Sequence, residues 1–363
     1  MSQKNGSVFE VNKADWSQCR IVPEVLPDGL GADQVLLKLD RFALTSNNIT
    51  YAAIGEPIGY WKFFPAEDGW GRIPAMGFAD VVKSTHADVL EGERVFGFFP
   101  MAHHLLINAG KVNNYQFVDV SEHRADTAPV YRQYTRTTTN AKYEKAYEDQ
   151  HLLLWGLFMT SFLVDDLIAD SDFFGAEAFV IASASSKTAI ALAHQLHERG
   201  RGDVIGLTSE RNLSFVEGLD FYDRAVSYEN IESLAADVPV VFVDHSGSGD
   251  VVNRVHRQYG DNVKYSCIVG MTHIGAAPRD SGLPGAEPAF FFAPGQIQKR
   301  TADWGPEGLE QRIGDAWRRF RDSSDAWLNV KRDAGKEAVE RVYREVLEGR
   351  ARPDEGNVLS MWD

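Results

Sequence analysis

The sequence predicts an α/β protein with a doubly wound parallel sheet. The first strand, turn and helix of this sheet run from Ala178 to Glu198. Strand patterns alternate with helical patterns here, the strands at 178–182, 204–207, 238–243 and 265–269 and the helices at 187–198, 230–236 and 250–258. Such alternation favours a parallel sheet covered on both faces. The 187–198 segment also has apolar residues at i, i+3, i+4 and i+7, which predicts one buried helix face: Ala189, Leu192, Ala193 and Leu196.

The chain before His151 has a different pattern, with short strands separated by turns at 35–39, 79–83 and 94–99. This predicts a smaller, mostly β domain. Residues 120–150 are polar, and we interpret them as a connector able to fold over a cleft. The apolar stretch 152–168 predicts a helix, and 289–293 predicts a last, edge strand flanked by prolines.

Bulk composition limits the class of protein. A chain of 363 residues exceeds the size of one typical core, so two domains are expected. A formal charge of −15 argues against a nucleic-acid partner, because phosphates would be repelled. Only Cys19 and Cys267 are present, which supplies neither a disulfide framework nor a thiolate zinc site. Two isolated cysteines fit a reducing cytoplasm. No apolar run approaches the roughly 20 residues needed to span a bilayer, so no membrane partner is expected.

The turn after the first predicted strand is where dinucleotide folds bind the pyrophosphate. Here it reads Ser-Ala-Ser-Ser-Lys-Thr-Ala over 183–189 and contains no glycine. Its residues are small, and the candidate cofactor contacts are Ser183, Ser185, Ser186, Lys187 and Thr188. The alternative is that the serines only cap the helix. A Walker A loop is rejected, because its two glycines are missing.

The second predicted strand ends in a segment that favours NADP(H). A 2′-phosphate is bound by hydroxyls and arginine, and Thr208, Ser209 and Arg211 supply both. Glu210 opposes this assignment if its carboxylate points inward. Ser209 as a helix N-cap is compatible with either nicotinamide cofactor.

Five segments carry a recognisable pattern: Gln34–Leu39, Ala43–Asn48, Gly92–Gly97, Ser183–Ala189 and Gly206–Ser209. Together they resemble the medium-chain dehydrogenase/reductase superfamily, and in particular its zinc-free quinone and enoyl reductases. A closer resemblance is to the bacterial DUF2855 branch, through Phe64-Pro65, Trp70–Pro74, Gly97–Met101 and Ser183–Thr188.

The resemblance implies a GroES-like catalytic domain at 1–150, joined by a returning C-terminal segment at 295–363. A Rossmann NADP-binding domain at 151–294 would be inserted between them. It further implies a cleft for nicotinamide and a small-molecule substrate, and a homodimer formed through strand 289–293.

No catalytic zinc is expected. Where zinc alcohol dehydrogenases of the superfamily carry a Cys and a Gly-His-Glu motif, this chain has Thr45-Ser46 and Gly77-Phe78-Ala79.

Without metal, a proton or hydrogen-bond donor is needed for the developing enolate. The resemblance to enoyl thioester reductases implies a tyrosine, either Tyr60 or Tyr51, with Asn47 nearby; packing at a domain interface is the structural alternative.

Other polar residues of the first domain have two interpretations. His103 and His104 are either a proton relay or structural, and the structural role is favoured. We interpret Arg124, Arg132 and Arg136 as solvent-exposed residues of the connector; the alternative is that they bind an anionic group of the substrate.

Three functions stay open. The first is a zinc-independent NADPH-dependent reductase of a small hydrophobic enone, quinone or carbonyl. The second is a lyase, hydratase or cofactor-decayed protein of the same fold, motivated by the missing glycines. The third is a non-catalytic binding protein.

Overall fold

The computed structural model describes residues 6–269 and 278–363. The chain folds into two compact units: unit 1 extends to Leu153 and resumes at Asn329–Asp363, and unit 2 is Leu154–Leu328. The boundary differs from the predicted one, because residues 295–328 belong to unit 2 and not to the returning segment. The reason is aromatic packing within unit 2, where the Phe320 ring stacks on Phe158 with centroids 5.7 Å apart.

Helices and strands follow one another along the chain as β1 (Ser7–Asn12), β2 (Cys19–Pro23), β3 (Gln34–Leu44), α1 (Ser46–Ala53), α2 (Gly55–Ile58), β4 (Trp70–Gly71), β5 (Pro74–Ser84), β6 (Arg94–Pro100), β7 (His104–Gly110), β8 (Gln116–Asp119), β9 (Gln133–Arg136) and α3 (Glu148–Asp170). The chain continues with β10 (Ala178–Ala182), α4 (Lys187–Arg199), β11 (Asp203–Thr208), α5 (Leu213–Glu217), β12 (Arg224–Ser227), β13 (Val240–Asp244), α6 (Gly249–Tyr259), β14 (Val263–Ile268), β15 (Ala289–Phe290), α7 (Ala293–Ser323), β16 (Asn329–Ala334), α8 (Lys336–Leu347) and β17 (Glu355–Ser360).

Unit 2 contains the predicted parallel sheet, in the order β12-β11-β10-β13-β14-β15. Counted from β10, this is the 3-2-1-4-5-6 order of a Rossmann fold, which confirms the predicted fold class. The strand residues of β10 and β13 are all buried, because helices cover both faces. β15 is shorter than predicted and pairs only through Ala289 and Phe290.

Unit 1 contains a β-barrel. Its strands run β3-β5-β6-β9-β8-β7, and β7 pairs back onto β3, which closes the ring. Buried side chains fill its interior, among them Leu37, Val95, Phe99 and Phe117. The C-terminal strands β17 and β16 extend the sheet from β3. Helix α8, which lies between them in sequence, packs on a second core with α1 and β1.

Two sequence predictions are wrong in detail. The helix predicted at 230–236 is instead a short 3₁₀ turn at Tyr228–Ser233, interrupted by a non-helical Asn230. The polar segment 120–150 is not a free connector, because β9 lies inside it and pairs with both β6 and β8. Only Tyr134 of this four-residue strand is buried, so no alternating pattern is visible.

The interpretation of Arg124 as a solvated residue is also wrong. Its side chain is fully buried and pairs with the buried carboxylate of Asp119, with Nη1 to Oδ2 at 3.1 Å. Nη1 also donates to the Tyr134 hydroxyl at 2.9 Å. The cation lies 5.0 Å from the centre of the Phe64 ring. Arg124 is therefore part of the barrel's packing, whereas Arg136 pairs with Glu93 nearer the surface.

Helix α3 is the one segment of the described residues that satisfies the length and composition of a membrane span, within 145–170. Of its most apolar window, 61% is buried inside the protein, as in the core helix of a globular fold. The expectation of no membrane partner is neither confirmed nor contradicted by this helix.

We expect Arg124→Met to lower the free energy of unfolding by about 3–5 kcal/mol, because it leaves the Asp119 carboxylate buried without its cation. Urea unfolding measures the change. Arg350→Met is the matched control and should change the free energy by less than about 0.5 kcal/mol, since Arg350 and its partner Glu348 are both exposed. Equal stabilities of the two variants would contradict the role given to Arg124.

Candidate functional site

The carboxyl edge of the parallel sheet gathers most of the predicted cofactor residues. At the topological switch point, β10 pairs with β11 on one side and with β13 on the other. The later strands of each half extend the sheet away from this point in opposite directions. Ligands of doubly wound sheets bind in the crevice that opens there. The turn after β10 leads directly into α4, so its backbone meets the positive end of that helix.

The turn after β10 has a backbone shape that glycine normally provides. Ser183 has φ +57°, in the left-handed region. Its N–H donates to the hydroxyl of Tyr228 at 3.0 Å. Ser186 then caps α4, accepting from the N–H of Ala189 at 3.3 Å. The capping interpretation of Ser186 is confirmed, and it leaves the phosphate interpretation of the turn as a prediction.

Gly206 on β11 has no side chain, which allows the turn after β10 to approach β11 closely. A Cβ built on Gly206 would lie 2.8 Å from the Ala184 Cβ and 2.9 Å from the Tyr222 ring. The Tyr222 hydroxyl donates to the Ala184 carbonyl at 2.9 Å. Gly206 therefore makes room for both the turn and the tyrosine that holds it.

Thr208 at the end of β11 lies beside the turn. Its buried hydroxyl is 3.4 Å from the Ser185 hydroxyl, which also accepts from the Asn212 amide at 3.0 Å. Ser209 is half-buried at the start of a 3₁₀ turn, where its side chain makes no capping hydrogen bond.

Glu210 and Arg211 are both exposed at the surface after β11. Lys187 and Thr188 are half-buried in the first turn of α4. The Thr188 carbonyl accepts from Ser161 of α3 at 2.7 Å, which ties the start of α4 to α3.

The loop after β13 was not singled out from the sequence. The buried Asp244 carboxylate accepts from the Ser246 hydroxyl at 2.6 Å and from the N–H of Gly247 at 3.1 Å. Burial lowers the pKa of the neighbouring His245 to about 3, so it is uncharged at neutral pH. The available signal was position, because Asp244 ends a strand of the sheet.

Unit 1 brings the three predicted catalytic residues together. The Asn47 amide donates to the Tyr51 hydroxyl at 2.8 Å. The Tyr51 and Tyr60 rings lie 4.7 Å apart, centre to centre. The Tyr60 hydroxyl is in turn 3.0 Å from the hydroxyl of Tyr131. Tyr131 is the member that sequence reasoning missed, because it lies 71 positions from Tyr60 in a segment without a pattern.

Apolar contacts and one buried cation hold this tyrosine cluster of Tyr51, Tyr60 and Tyr131. The Tyr131 ring packs against Phe63 and Phe98, with centroids 5.0 and 5.2 Å away. Arg124 donates from Nη2 to the Tyr131 carbonyl. The cluster therefore rests on the same buried arginine that supports the barrel.

The hydroxyls of Tyr51 and Tyr60 are protonated at neutral pH. Burial raises the pKa of Tyr60 far above its usual range, and the neighbouring Tyr131 raises it further. Burial and Tyr131 also raise the pKa of Tyr51, against the smaller opposing effect of the Asn47 hydrogen bond. A protonated phenol can donate to a developing oxyanion.

His103 and His104 have structural contacts. The Nδ1 atom of His103 accepts from the N–H of Ser7 at 2.9 Å, which ties β1 to the start of β7. The Nδ1 atom of His104 lies 2.9 Å from the Glu24 carboxylate. Both rings also pack edge-on against Trp362. These contacts support the structural role.

Within residues 6–269 and 278–363, no three His, Cys, Asp or Glu side chains are grouped closely enough to hold a metal ion. Cys19 and Cys267 are both free thiols.

The family model described as "Protein of unknown function (DUF2855)" matches residues 42–352. The chain belongs to this family. That confirms the resemblance seen in the sequence. No curated protein matches the sequence.

Solved structures share the fold at low identity. CurA from Vibrio vulnificus is 11% identical over 99% of each chain, with a TM-score of 0.60. A mutant enoyl thioester reductase from Candida tropicalis is 10% identical over 99% of this chain and 100% of its own, with a TM-score of 0.55. The yhdH oxidoreductase from Salmonella enterica is 13% identical over 98% and 99%, with a TM-score of 0.52. At these identities the likeness establishes the fold.

The raised pKa values of Tyr51 and Tyr60 predict how stability depends on pH. Because the folded pKa values of Tyr51 and Tyr60 are raised above the usual value of 10.0, their contribution to stability is complete below pH 10 and is lost as the pH rises above it. We expect the unfolding temperature of Tyr51→Phe/Tyr60→Phe to fall less steeply than that of the unmodified protein above pH 10. Thermal unfolding followed by circular dichroism measures both slopes; identical slopes would contradict the burial of these phenols.

Proposed function

We propose that this protein is a zinc-independent, NADPH-dependent oxidoreductase that reduces an activated C=C or C=O bond of a small hydrophobic substrate. The observation that carries the proposal is the switch point between β10 and β13, where a turn of small residues opens onto the N-terminus of α4. This is the position at which doubly wound sheets bind dinucleotide pyrophosphates.

The residues at the switch point fit a dinucleotide. Gly206 lets the turn pack closely against β11, and Ser183 has the left-handed conformation of a phosphate-binding turn. Thr208 ends β11, and Ser209 and the exposed Arg211 follow it; together they would supply the hydroxyls and the guanidinium that a 2′-phosphate needs, while the Glu210 side chain is exposed. Among proteins of this fold, CurA was solved with NADPH, yhdH with NADP, and Etr1p with NADP and crotonyl-CoA.

The bound nicotinamide would supply the hydride. This chain's own contribution would be to stabilise the charge that then develops on a carbonyl or enolate oxygen. Tyr60 is the proposed donor to that oxygen, because its phenol is protonated and its hydroxyl already shares a hydrogen bond with Tyr131. Tyr131 can replace the proton that Tyr60 gives, since either hydroxyl of the pair can act as donor.

Tyr51 and Asn47 have an orienting role in this proposal. The Asn47 amide fixes the direction of the Tyr51 hydroxyl, and the Tyr51 ring packs on Tyr60. The aromatic surroundings of the cluster, Phe63 and Phe98, favour an apolar substrate. An enone, quinone or simple carbonyl compound meets these conditions.

Zinc independence rests on residue types. Thr45 and Ser46 lack the thiolate that zinc dehydrogenases of the superfamily use, and Gly77-Phe78-Ala79 lack the imidazole and carboxylate. A cytoplasmic location is proposed on the free thiols alone.

One alternative is favoured by a specific observation, the absence of glycine between Ser183 and Thr188. A protein that has lost its nicotinamide, or that catalyses a lyase or hydratase reaction, would not need the phosphate turn. It would convert substrate without any change in nicotinamide absorbance.

We expect the pure protein to bind NADPH in isothermal titration calorimetry and to oxidise it with some member of a panel of enones, quinones and aldehydes. Tyr60→Phe should lower kcat by about 100-fold with the NADPH Kd unchanged, because it removes the donor and leaves the cofactor residues intact. Tyr115→Phe, at a mostly exposed tyrosine of unit 1, is the control and should keep full activity. No NADPH binding at millimolar concentration would refute the proposal.

We also propose that the chain forms a homodimer through β15. This strand lies at the edge of the sheet, where its unpaired backbone groups can extend the sheet of a second copy. Phe290 and Phe292 are 76% and 69% exposed there, which is unusual for large aromatic side chains on a monomer's surface.

Phe290→Lys/Phe292→Lys should therefore shift the protein from dimer to monomer in sedimentation velocity, because it places charge on the proposed interface. Val25→Lys, at an exposed position of unit 1, is the control and should leave the dimer intact. A monomeric unmodified protein, or a double variant that stays dimeric, would contradict the proposed interface.

A further inference from the structure

The turn after β10 adopts a glycine-like backbone without a glycine. Ser183 has φ +57°, and a residue with a Cβ is disfavoured in this conformation because the Cβ approaches the following carbonyl oxygen. Such a conformation persists only where the surrounding structure enforces it. Something other than the residue's own preference must therefore hold Ser183.

Tyr228 provides the first constraint. It directly follows β12, whose last residue pairs with Thr208 of β11. From there its hydroxyl reaches the end of β10 and accepts the Ser183 N–H at 3.0 Å. The Ser183 side chain hydrogen-bonds the same hydroxyl. Two contacts to one hydroxyl oxygen fix both the backbone and the side chain of Ser183.

Tyr222 provides the second constraint, one residue further along the turn. Its hydroxyl donates to the Ala184 carbonyl at 2.9 Å, and its ring fills the space that Gly206 leaves open. The Ala184 N–H meanwhile donates to the Leu207 carbonyl at 2.9 Å. Ala184 is thus held on both sides, by β11 and by a tyrosine that precedes β12.

We propose that Tyr228 and Tyr222 form a clamp that replaces the missing glycines and keeps the turn Ser183–Ser186 in a phosphate-binding shape. They are positioning residues, since they act through Ser183 and Ala184. The proposal rests on the proposed NADPH site and deepens it. It also predicts that the conformation exists before the cofactor arrives, which lowers the entropy lost on binding.

A rival explanation predicts the opposite change in NADPH affinity when the Tyr228 hydroxyl is removed. If the Tyr228 hydroxyl merely occupies an amide that the cofactor pyrophosphate needs, its removal strengthens binding. If it is a clamp, removal weakens binding, and a glycine at 183 restores it, because glycine adopts positive φ without strain. The two explanations are therefore separated by one substitution and its rescue.

The test compares the full-length protein with Tyr228→Phe, Ser183→Gly, and the double variant Tyr228→Phe/Ser183→Gly, using calorimetric NADPH affinity. We expect Tyr228→Phe to raise the NADPH Kd by about 10-fold. This factor corresponds to the cost of holding one residue in the left-handed conformation, which cofactor binding would then have to supply. Ser183→Gly alone and the double variant should stay within about 3-fold of the unmodified protein. Tyr222→Phe should weaken binding in the same direction. Tyr259→Phe, at a buried tyrosine of α6, is the matched control and should not change the Kd.

A second measurement, hydrogen exchange of the cofactor-free protein, separates failure of the clamp from failure of the NADPH site. Tyr228→Phe should accelerate amide exchange in the peptide that contains residues 183–186, whereas Tyr259→Phe should not. If the unmodified protein binds no NADPH, the proposed function fails. The exchange data alone then show whether Tyr228 holds the turn 183–186 in its conformation. Unchanged exchange, unchanged or tighter NADPH binding in Tyr228→Phe, or an unrescued double variant would overturn it.

Discussion

Strand β10 is hydrogen-bonded in parallel to β11 on one side and to β13 on the other, and the organisation of unit 2 follows from this arrangement. Because both neighbours are parallel, each connection must cross a face of the sheet, and the two halves place their helices on opposite faces. The carboxyl ends of the strands consequently lie side by side at the switch point. Ser183, Thr208 and Asp244 occupy those ends, which is why residues distant in sequence share one edge.

The strands around that switch point were the most predictable part of the fold. Strand 178–182 was predicted with its observed bounds, and helix 187–198 ends one residue early, because fully buried strands and amphipathic helices have strong patterns. The prediction failed where the pattern is short or shaped by distant partners. β9 buries only Tyr134, and its pairing with β6 and β8 depends on residues far along the chain. Likewise, no local signal marks Arg124 as buried, since its partner Asp119 and its aromatic neighbours determine its place.

The candidate sites show the same limit. The turn residues, and Tyr51 and Tyr60 as alternative donors, were accessible from their positions relative to motifs that resemble a known family. The packing of the two tyrosine rings on each other was not predicted. Tyr131, Tyr222 and Tyr228 were not accessible, since each acts through a hydroxyl that reaches a residue 38 to 71 positions away. The glycine-free turn illustrates the consequence. In the sequence the turn lacks the glycines of a phosphate-binding loop, whereas in the structure two tyrosines hold its backbone in the conformation that glycine usually permits.

We propose that the switch point of unit 2 binds a dinucleotide although the turn 183–186 contains no glycine. A crystal structure of the protein grown with saturating NADPH tests it most directly. The account predicts density for the pyrophosphate against the turn 183–186 at the N-terminus of α4, with the Tyr228 hydroxyl still bonded to Ser183. A cofactor absent at saturation, or bound elsewhere on the protein, would contradict it.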